Sequence, residues 1–345
     1  MNHLVTKSII ILIIVSALSN SLVAQQKNDS LRIIKEALQL IKLPEPIFDK
    51  PFKITPSSKD IEDLGFEQIN KAENIKFMMS DGIQIAAQKY VFESNKTVIL
   101  VHGVLSSSYT FNKMAGLLRK SLQAKVIAID LRGHGMSGGK PGDISTPNQY
   151  AKDLDAIINN IKNQRPTQKI ILAGHSIGGG IVLKHVETFP KTKVQAYVLF
   201  APNLGATSPT TSQKLDVTNN FIKTHLSRGL GLKMLNEFGI YNYDSLNVVF
   251  YNLPKQMPIH KYSYRSMKAS YPTNFKEALK MIDVPLLTFV GSNDEAFIAE
   301  EYPIVMSAYS TGECFVIENE THNGIRHNKE AMKKIEVWAI KNKIQ

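Results

Sequence analysis

The spacing of apolar positions divides the chain into regions of different character. Between Asp29 and Leu43, Leu31, Ile34, Leu38 and Ile41 recur at helical spacing, which predicts a helix with one apolar stripe. Pro44, Pro46, Pro51 and Pro56 follow and predict an extended, linker-like stretch over the surface, so residues 25–72 read as an N-terminal helix and linker. From Glu73 onward, Ile75 to Met79 and Ile83 to Phe92 read as two strands joined at Asp81-Gly82, a pair that favours a tight hairpin turn.

Beyond Lys96 short apolar runs alternate with longer amphipathic stretches. The runs are Val98 to Val101, Val126 to Leu131, Ile170 to Ala173, Ala196 to Phe200, Leu286 to Val290 and Cys314 to Ile317. Each is predominantly apolar, with Asp130 and Thr288 as polar members, so the pattern predicts strands of a parallel sheet buried on both faces. Helices are predicted for Ser107 to Ser121, Asn148 to Lys162, Ile177 to Phe189 and Asn328 to Asn342. The rhythm breaks between Ala201 and Asp283, a stretch holding Pro202, Pro209, Pro254, Pro258 and Pro272 and no convincing buried strand. Residues of about 203–283 therefore read as a cap inserted into an α/β domain of residues 73–345. Its apolar members, Phe221, Leu226, Leu230, Leu232, Met234, Leu235, Phe238, Tyr241 and Tyr243, are expected chiefly to pack the cap, with a few facing a pocket.

The first residues change the picture of where the chain works. A basic start through Lys7, an apolar run from Ser8 to Leu18 and the small residue Ala24 read as a signal peptide of residues 1–24. The run is shorter than the roughly 20 residues a membrane span needs. The expectation is therefore an exported protein, periplasmic or secreted, although an uncleaved N-terminal anchor is compatible with the same residues. Cys314 is the only cysteine, so no disulfide can form within the chain. The net charge of +11 comes from 41 basic residues dispersed among 30 acidic ones, a balance that argues against a nucleic-acid partner and leaves room for peripheral contact with an anionic lipid surface.

Candidate chemistry begins at Gly174-His175-Ser176-Ile177-Gly178, directly after one predicted strand and directly before a predicted helix. A serine nucleophile on so sharp a turn needs small neighbours two positions to either side, which the two glycines supply. A hydroxyl is a weak nucleophile near neutral pH and needs a base, and the base needs a carboxylate to orient it. In an open α/β sheet such groups gather beyond the carboxyl ends of strands. Asp294, after Gly291-Ser292-Asn293, and His322, after Glu318 to Thr321, meet that condition and give the order Ser, Asp, His. Glu295, Glu318 and Glu320 are competing acids with a surface role as the alternative, and Asp294 is preferred for its place after the glycine turn. Backbone amides of Ile177 and Val104 are the candidate oxyanion donors. His102 is assigned to holding its turn. His175, His185, His225, His260 and His327 are read as structural.

Together His102-Gly103, Asp130-Leu131-Arg132-Gly133-His134-Gly135-Met136-Ser137, Gly174-His175-Ser176-Ile177-Gly178-Gly179, Gly291-Ser292-Asn293-Asp294 and His322 resemble the monoacylglycerol lipase and lysophospholipase branch of the α/β-hydrolase superfamily, from about Glu73 to Lys341. The resemblance implies the α/β-hydrolase fold: an eight-stranded, mostly parallel sheet with helices on both faces, a cap over the pocket and no cofactor. It also implies cleavage of a carboxylic ester, small or lipid-like, through an acyl-enzyme. Here the loop before the base reads Glu320-Thr321-His322-Asn323-Gly324, without the glycine that often precedes the histidine in such proteins.

Other readings carry less. Gly133-His134-Gly135-Met136-Ser137-Gly138, with Asp153 beyond it, fits a dinucleotide fingerprint, but Pro141 continues the loop where a helix should open. No histidine pair has zinc-enzyme spacing, so no metal is expected. Thioesterase, peptidase or carbon–carbon hydrolase chemistry, or ligand binding with little turnover, fits the same scaffold. Oligomeric state and substrate identity are not written in the sequence.

Overall fold

The computed structural model describes residues 29–51, 57–212 and 220–344. The segment read as a signal peptide lies outside them. Eleven strands occur among the described residues: β1 (Glu73–Met78), β2 (Gln84–Tyr90), β3 (Lys96–Val101), β4 (Lys125–Ile129), β5 (Lys169–His175), β6 (Ala196–Phe200), β7 (Ile222–Thr224), β8 (Asn247–Tyr251), β9 (Lys261–Ser263), β10 (Leu286–Asn293) and β11 (Glu313–Thr321). The helices are α1 (29–41), α2 (Ser58–Leu64), α3 (Asn112–Ser121), α4 (Gln149–Gln164), α5 (Ile177–Thr188), α6 (Leu226–Glu237), α7 (Tyr264–Lys268), α8 (Phe275–Lys280), α9 (Glu301–Tyr309) and α10 (Lys329–Lys341).

Eight strands form one sheet in the order β1-β2-β4-β3-β5-β6-β10-β11. β1 and β2 form an antiparallel hairpin, β2 runs antiparallel to β4, and every later neighbour is parallel. Alternate residues of the central strands serve opposite faces. Ile99, Val101, Ile127, Ile129, Ile170 and Leu172 join the core under α4, α5, α8 and α9. Val98, Leu100, Val126, Ala128, Ile171 and Ala173 join the core under α3 and α10. Burial on both faces explains why these strands read as continuous apolar runs. It also accounts for the stripes of the covering helices, such as Tyr150, Leu154, Ile157 and Ile158 on α4.

Between β6 and β10 lies the inserted unit, with α6, α7, α8 and a small antiparallel sheet in the order β7-β8-β9. Its four buried residues on β8, Val248 to Tyr251, correct the expectation that the insertion holds no buried strand. A five-residue strand with polar flanks gives too short a pattern to stand out in the sequence. The unit's own core joins Leu232, Leu235, Val249 and Tyr262 to Ala37 and Ile41 of α1. The N-terminal helix is thus seated on the insertion. Gly231 makes the seat, because a Cβ there would stand 2.7 Å from the Ala37 carbonyl oxygen and 2.9 Å from the Ile41 side chain. Arg228 fixes the chain beyond it by donating to the carbonyl oxygens of Ile41 and Leu43 and pairing with Glu45.

Part of the stretch read as an extended linker is also ordered differently. Ser57 and Asp60 form a reciprocal cap that starts α2, and Gly65, with φ of 72°, ends it. From α2, Asp63 accepts a hydrogen bond from Thr321 Oγ1 at 2.9 Å, and its carbonyl oxygen accepts from Arg326. The short helix therefore braces the loop after β11. Neither contact is local in sequence, so no pattern in residues 44–72 announces it.

Buried imidazoles tie the loops at the carboxyl end of the sheet. His102, after β3, accepts from the Leu131 amide through Nε2 at 3.0 Å and donates to the Gly103 carbonyl oxygen through Nδ1. Burial pushes its pKa down to about 4. Burial, and then the neighbouring His102, push His134 to about 3. Both rings are neutral in the folded protein, whereas in the unfolded chain each gains a proton below about pH 6.5. Their contribution to stability is complete above that pH and is lost as pH falls towards 4. Calorimetric unfolding midpoints should therefore drop between about pH 6.5 and pH 5; a midpoint independent of pH over that interval contradicts the assignment. Separately, Gly231→Val should lower stability by roughly 1–3 kcal/mol through overpacking and expose residues 29–43 to limited proteolysis. Wild-type melting and wild-type cleavage rates would show that α1 is not seated there.

Candidate active site

β5 ends at His175 and α5 begins at Ile177, leaving Ser176 alone to turn the chain, at φ 57° and ψ −125°. A residue with a Cβ holds that conformation only under constraint. Its amide donates to the Phe200 carbonyl oxygen on β6 at 2.9 Å, and its carbonyl oxygen accepts from the Asn203 amide at 2.9 Å. A Cβ on Gly174 would stand 2.5 Å from the Gly178 carbonyl oxygen, and one on Gly178 would press on the carbonyl oxygen of Val101. Both flanking glycines are therefore required by backbone approach. Ser176 is buried with 6% exposure. Ile177 is the first residue of α5, where amides have no partner within the helix and the helix dipole favours negative charge.

The pairing of β10 with β11 decides where the other candidates stand. After an irregularity between Gly291 and Asn293, Asn293 faces Thr321. Asp294 and His322 are thus the first residues past a matched pair on adjacent parallel strands. His322 Nδ1 donates to Asp294 Oδ2 at 2.8 Å, and Asp294 Oδ1 accepts from the amides of Ala296 and Phe297, both at 2.9 Å. The Asp294 side chain is fully buried. With Nδ1 committed as donor, Nε2 of His322 is left as the basic nitrogen. The sequence reading took Gly291-Ser292-Asn293 as a turn and ended the last strand near Ile317; both strands continue instead up to the candidate residues. Their polar side chains sit at the sheet's edge, where burial no longer dictates an apolar pattern.

Further residues hold His322, a task the sequence reading gave to none of them. Glu295 Oε2 accepts from the His322 amide at 2.9 Å. His175 Nε2 donates to the His322 carbonyl oxygen at 2.7 Å, and the two rings lie 4.6 Å apart. The ring preceding Ser176 therefore anchors the backbone of the candidate base. Phe297 meets the His322 ring edge-on at 5.4 Å. Adjacency to Asp294 was the one available signal for Glu295, and none existed for Phe297. The loop itself closes without a glycine before the histidine, because Thr321 Oγ1 accepts from the Gly324 amide.

The loop carrying Val104 lies against the serine. A Cβ on Gly103 would be 3.3 Å from Ser176 Cβ and 3.2 Å from His175 Nδ1. Glycine is what lets the His102-Gly103-Val104 chain approach so closely. Next along the edge, the Asp130 carboxylate accepts from the Ser108 and Met136 amides at 2.6 and 2.7 Å. The glycine-rich stretch 133–138 is this folded loop, and no helix opens inside it. Asp153, the acid of the apparent fingerprint, is paired with Arg132 at 2.7 Å. Among the described residues no group of three or more His, Cys, Asp or Glu side chains could hold a metal ion.

Similar proteins point the same way. The "Monoacylglycerol lipase" of Mycolicibacterium smegmatis is 33% identical over 115 residues, which is 32% of this chain and 38% of that protein. "Methylesterase 18" of Arabidopsis thaliana is 33% identical over 104 residues, 30% of this chain and 38% of that protein. Each alignment thus spans less than two fifths of the relative. Among solved structures, an esterase of Pyrococcus furiosus superposes with a TM-score of 0.54 at 19% identity, covering 87% of this chain and 99% of that one. Est1E of Butyrivibrio proteoclasticus, with ferulic acid bound, superposes with a TM-score of 0.56 at 17% identity, covering 79% and 100%. At such identities the likeness is one of fold, and that fold is the α/β-hydrolase fold. The family model described as "Serine aminopeptidase, S33" matches residues 93–301, which include Ser176 and Asp294 and make up more than half of the sequence, and the chain belongs to that family.

Proposed function

We propose that the protein hydrolyses carboxylic esters through an acyl-enzyme on Ser176. The observation that carries this reading is a strained, buried serine at a strand-to-helix turn whose neighbouring ring anchors a His322–Asp294 pair. Ser176 Oγ attacks the ester carbonyl while His322 Nε2 takes its proton. The Val104 and Ile177 amides bind the oxyanion, and His322 returns the proton to the departing alcohol. Water then enters by the same route in reverse and releases the acid. Asp294 keeps the imidazole in the useful tautomer and offsets its charge.

The names of the relatives, a monoacylglycerol lipase and a methylesterase, support an ester over an amide. A lipid-like ester with an apolar acyl chain is the preferred class. Supporting that preference, Leu226, Leu230 and Tyr241 of the insertion expose apolar surface, with Leu230 53% exposed. The family description supports peptide cleavage as a second reading.

A fluorophosphonate probe should label the wild-type protein rapidly, and Ser176→Ala should abolish labelling. In a panel of short and long acyl esters, a monoacylglycerol and an aminoacyl anilide, turnover of the esters should dominate. An anilide turned over faster than every ester would favour the second reading, and a probe that leaves Ser176 unmodified would remove the reading altogether. Asp294→Asn should keep the fold and lower kcat by about 10⁴-fold, since the amide cannot enforce the tautomer. A loss below about tenfold would assign the orienting role elsewhere.

A further inference from the structure

Two residues past Gly103, Leu105 holds φ of 56°. That left-handed conformation is unfavourable for a residue with a Cβ and persists only where the surroundings impose it. The restraint comes from the inserted unit. The Leu105 amide donates to Tyr262 Oη at 3.0 Å, and Tyr262 lies on β9, 2% exposed. The same hydroxyl is 2.8 Å from His134 Nε2.

The direction of each bond follows from what each atom can do. His134 Nδ1 is 3.0 Å from the Arg132 carbonyl oxygen, which only accepts, so Nδ1 carries the hydrogen and Nε2 is bare. The Tyr262 hydroxyl therefore donates to His134 and turns its lone pairs to Leu105. Stacking of the two rings, 5.7 Å apart at 28°, keeps them in register. β9 is itself fastened to the main domain. Ser263 donates its amide to the Gly142 carbonyl oxygen at 2.9 Å, Arg265 pairs with Asp143 at 2.8 Å, and Ser266 and Tyr150 share a hydrogen bond at 3.0 Å. The hydroxyl is thus a fixed point, and the loop bearing Val104 is fitted to it.

We propose that Tyr262 is a positioning residue through which the inserted unit sets the oxyanion loop, its hydroxyl holding Leu105 so that the preceding amide, that of Val104, meets the substrate carbonyl oxygen. This rests on the ester-hydrolase reading given above. It gives the insertion a part in the chemical step. Tyr262 does not touch substrate; its effect passes through the backbone of residues 104–105.

The test compares wild type with Tyr262→Phe on a soluble p-nitrophenyl ester and on a trifluoromethyl ketone, whose adduct with the serine carries an oxyanion. With the loop released, kcat should fall about 10–100-fold, KM should change less than about threefold, and ketone affinity should weaken by about the same factor as kcat. Adding Leu105→Gly to Tyr262→Phe should restore part of kcat, because glycine adopts the left-handed conformation without the restraint. If the phenylalanine variant melts below the assay temperature, His134→Gln and His134→Leu replace it. Glutamine keeps an acceptor for the hydroxyl, so kcat should fall only with leucine. Retention of kcat within about twofold, or a fall in kcat with ketone affinity unchanged, would overturn the proposal. A wild-type protein inert to both ester and fluorophosphonate would instead overturn the ester-hydrolase reading itself.

Discussion

A serine held at φ 57° and ψ −125° would relax elsewhere on the backbone map unless its surroundings forbade every alternative. Here they do. β5 pairs with β3 on one side and β6 on the other, so the strand leading into the turn cannot shift. α5 is buried along nearly its whole length, so the helix leaving the turn cannot shift either. Between them, the Phe200 and Asn203 backbones take both backbone polar groups of Ser176. The conformation is stabilised by the central sheet as a whole.

The other groups are brought to that point by register. In a parallel pair, residues that follow a matched couple emerge side by side at the same end of the sheet. Asn293 opposite Thr321 makes Asp294 and His322 neighbours even though they follow separate strands with α9 between those strands in sequence. Their hydrogen bond then needs only local trimming, supplied by amides of Ala296 and Phe297 on the carboxylate and by Glu295 and His175 on the backbone of His322. His322 is gripped at its ring and at both its backbone amide and its carbonyl oxygen. An orientation fixed at several points requires little reorganisation during proton transfer, which is what a preorganised site demands.

Segments outside the sheet converge on the same edge. α2 braces the loop after β11 through Asp63, α1 seats against the insertion at Gly231, and β9 of the insertion reaches the loop after β3 through Tyr262. Buried histidines recur along this edge, at His102, His134 and His175, because imidazole can donate at one nitrogen and accept at the other. That suits a crowded loop edge where backbone groups of both kinds need partners, and it makes the edge sensitive to acid.

The sequence by itself determined the repeating α/β pattern, the hairpin at Asp81-Gly82, the turn at Ser176 and the glycines around it. In each case the physical cause is local: apolar periodicity, turn chemistry, or a backbone approach only glycine permits. It also brought Asp294 and His322 forward as candidates, since residues just past strand ends are where such groups gather. What it left undecided lay in short elements and in partners distant along the chain. The acid next to Asp294 could not be read as a clamp on His322, the prolines of residues 44–56 gave no hint of the capped helix beyond them, and the insertion's small sheet was too short to leave a period. Sequence position preferred Asp294 over Glu295 for the ring, but only the tertiary structure put Glu295 on the His322 amide or joined Tyr262 to Leu105. Contacts between residues distant along the chain are set by packing, and packing has no signature in a single stretch of sequence.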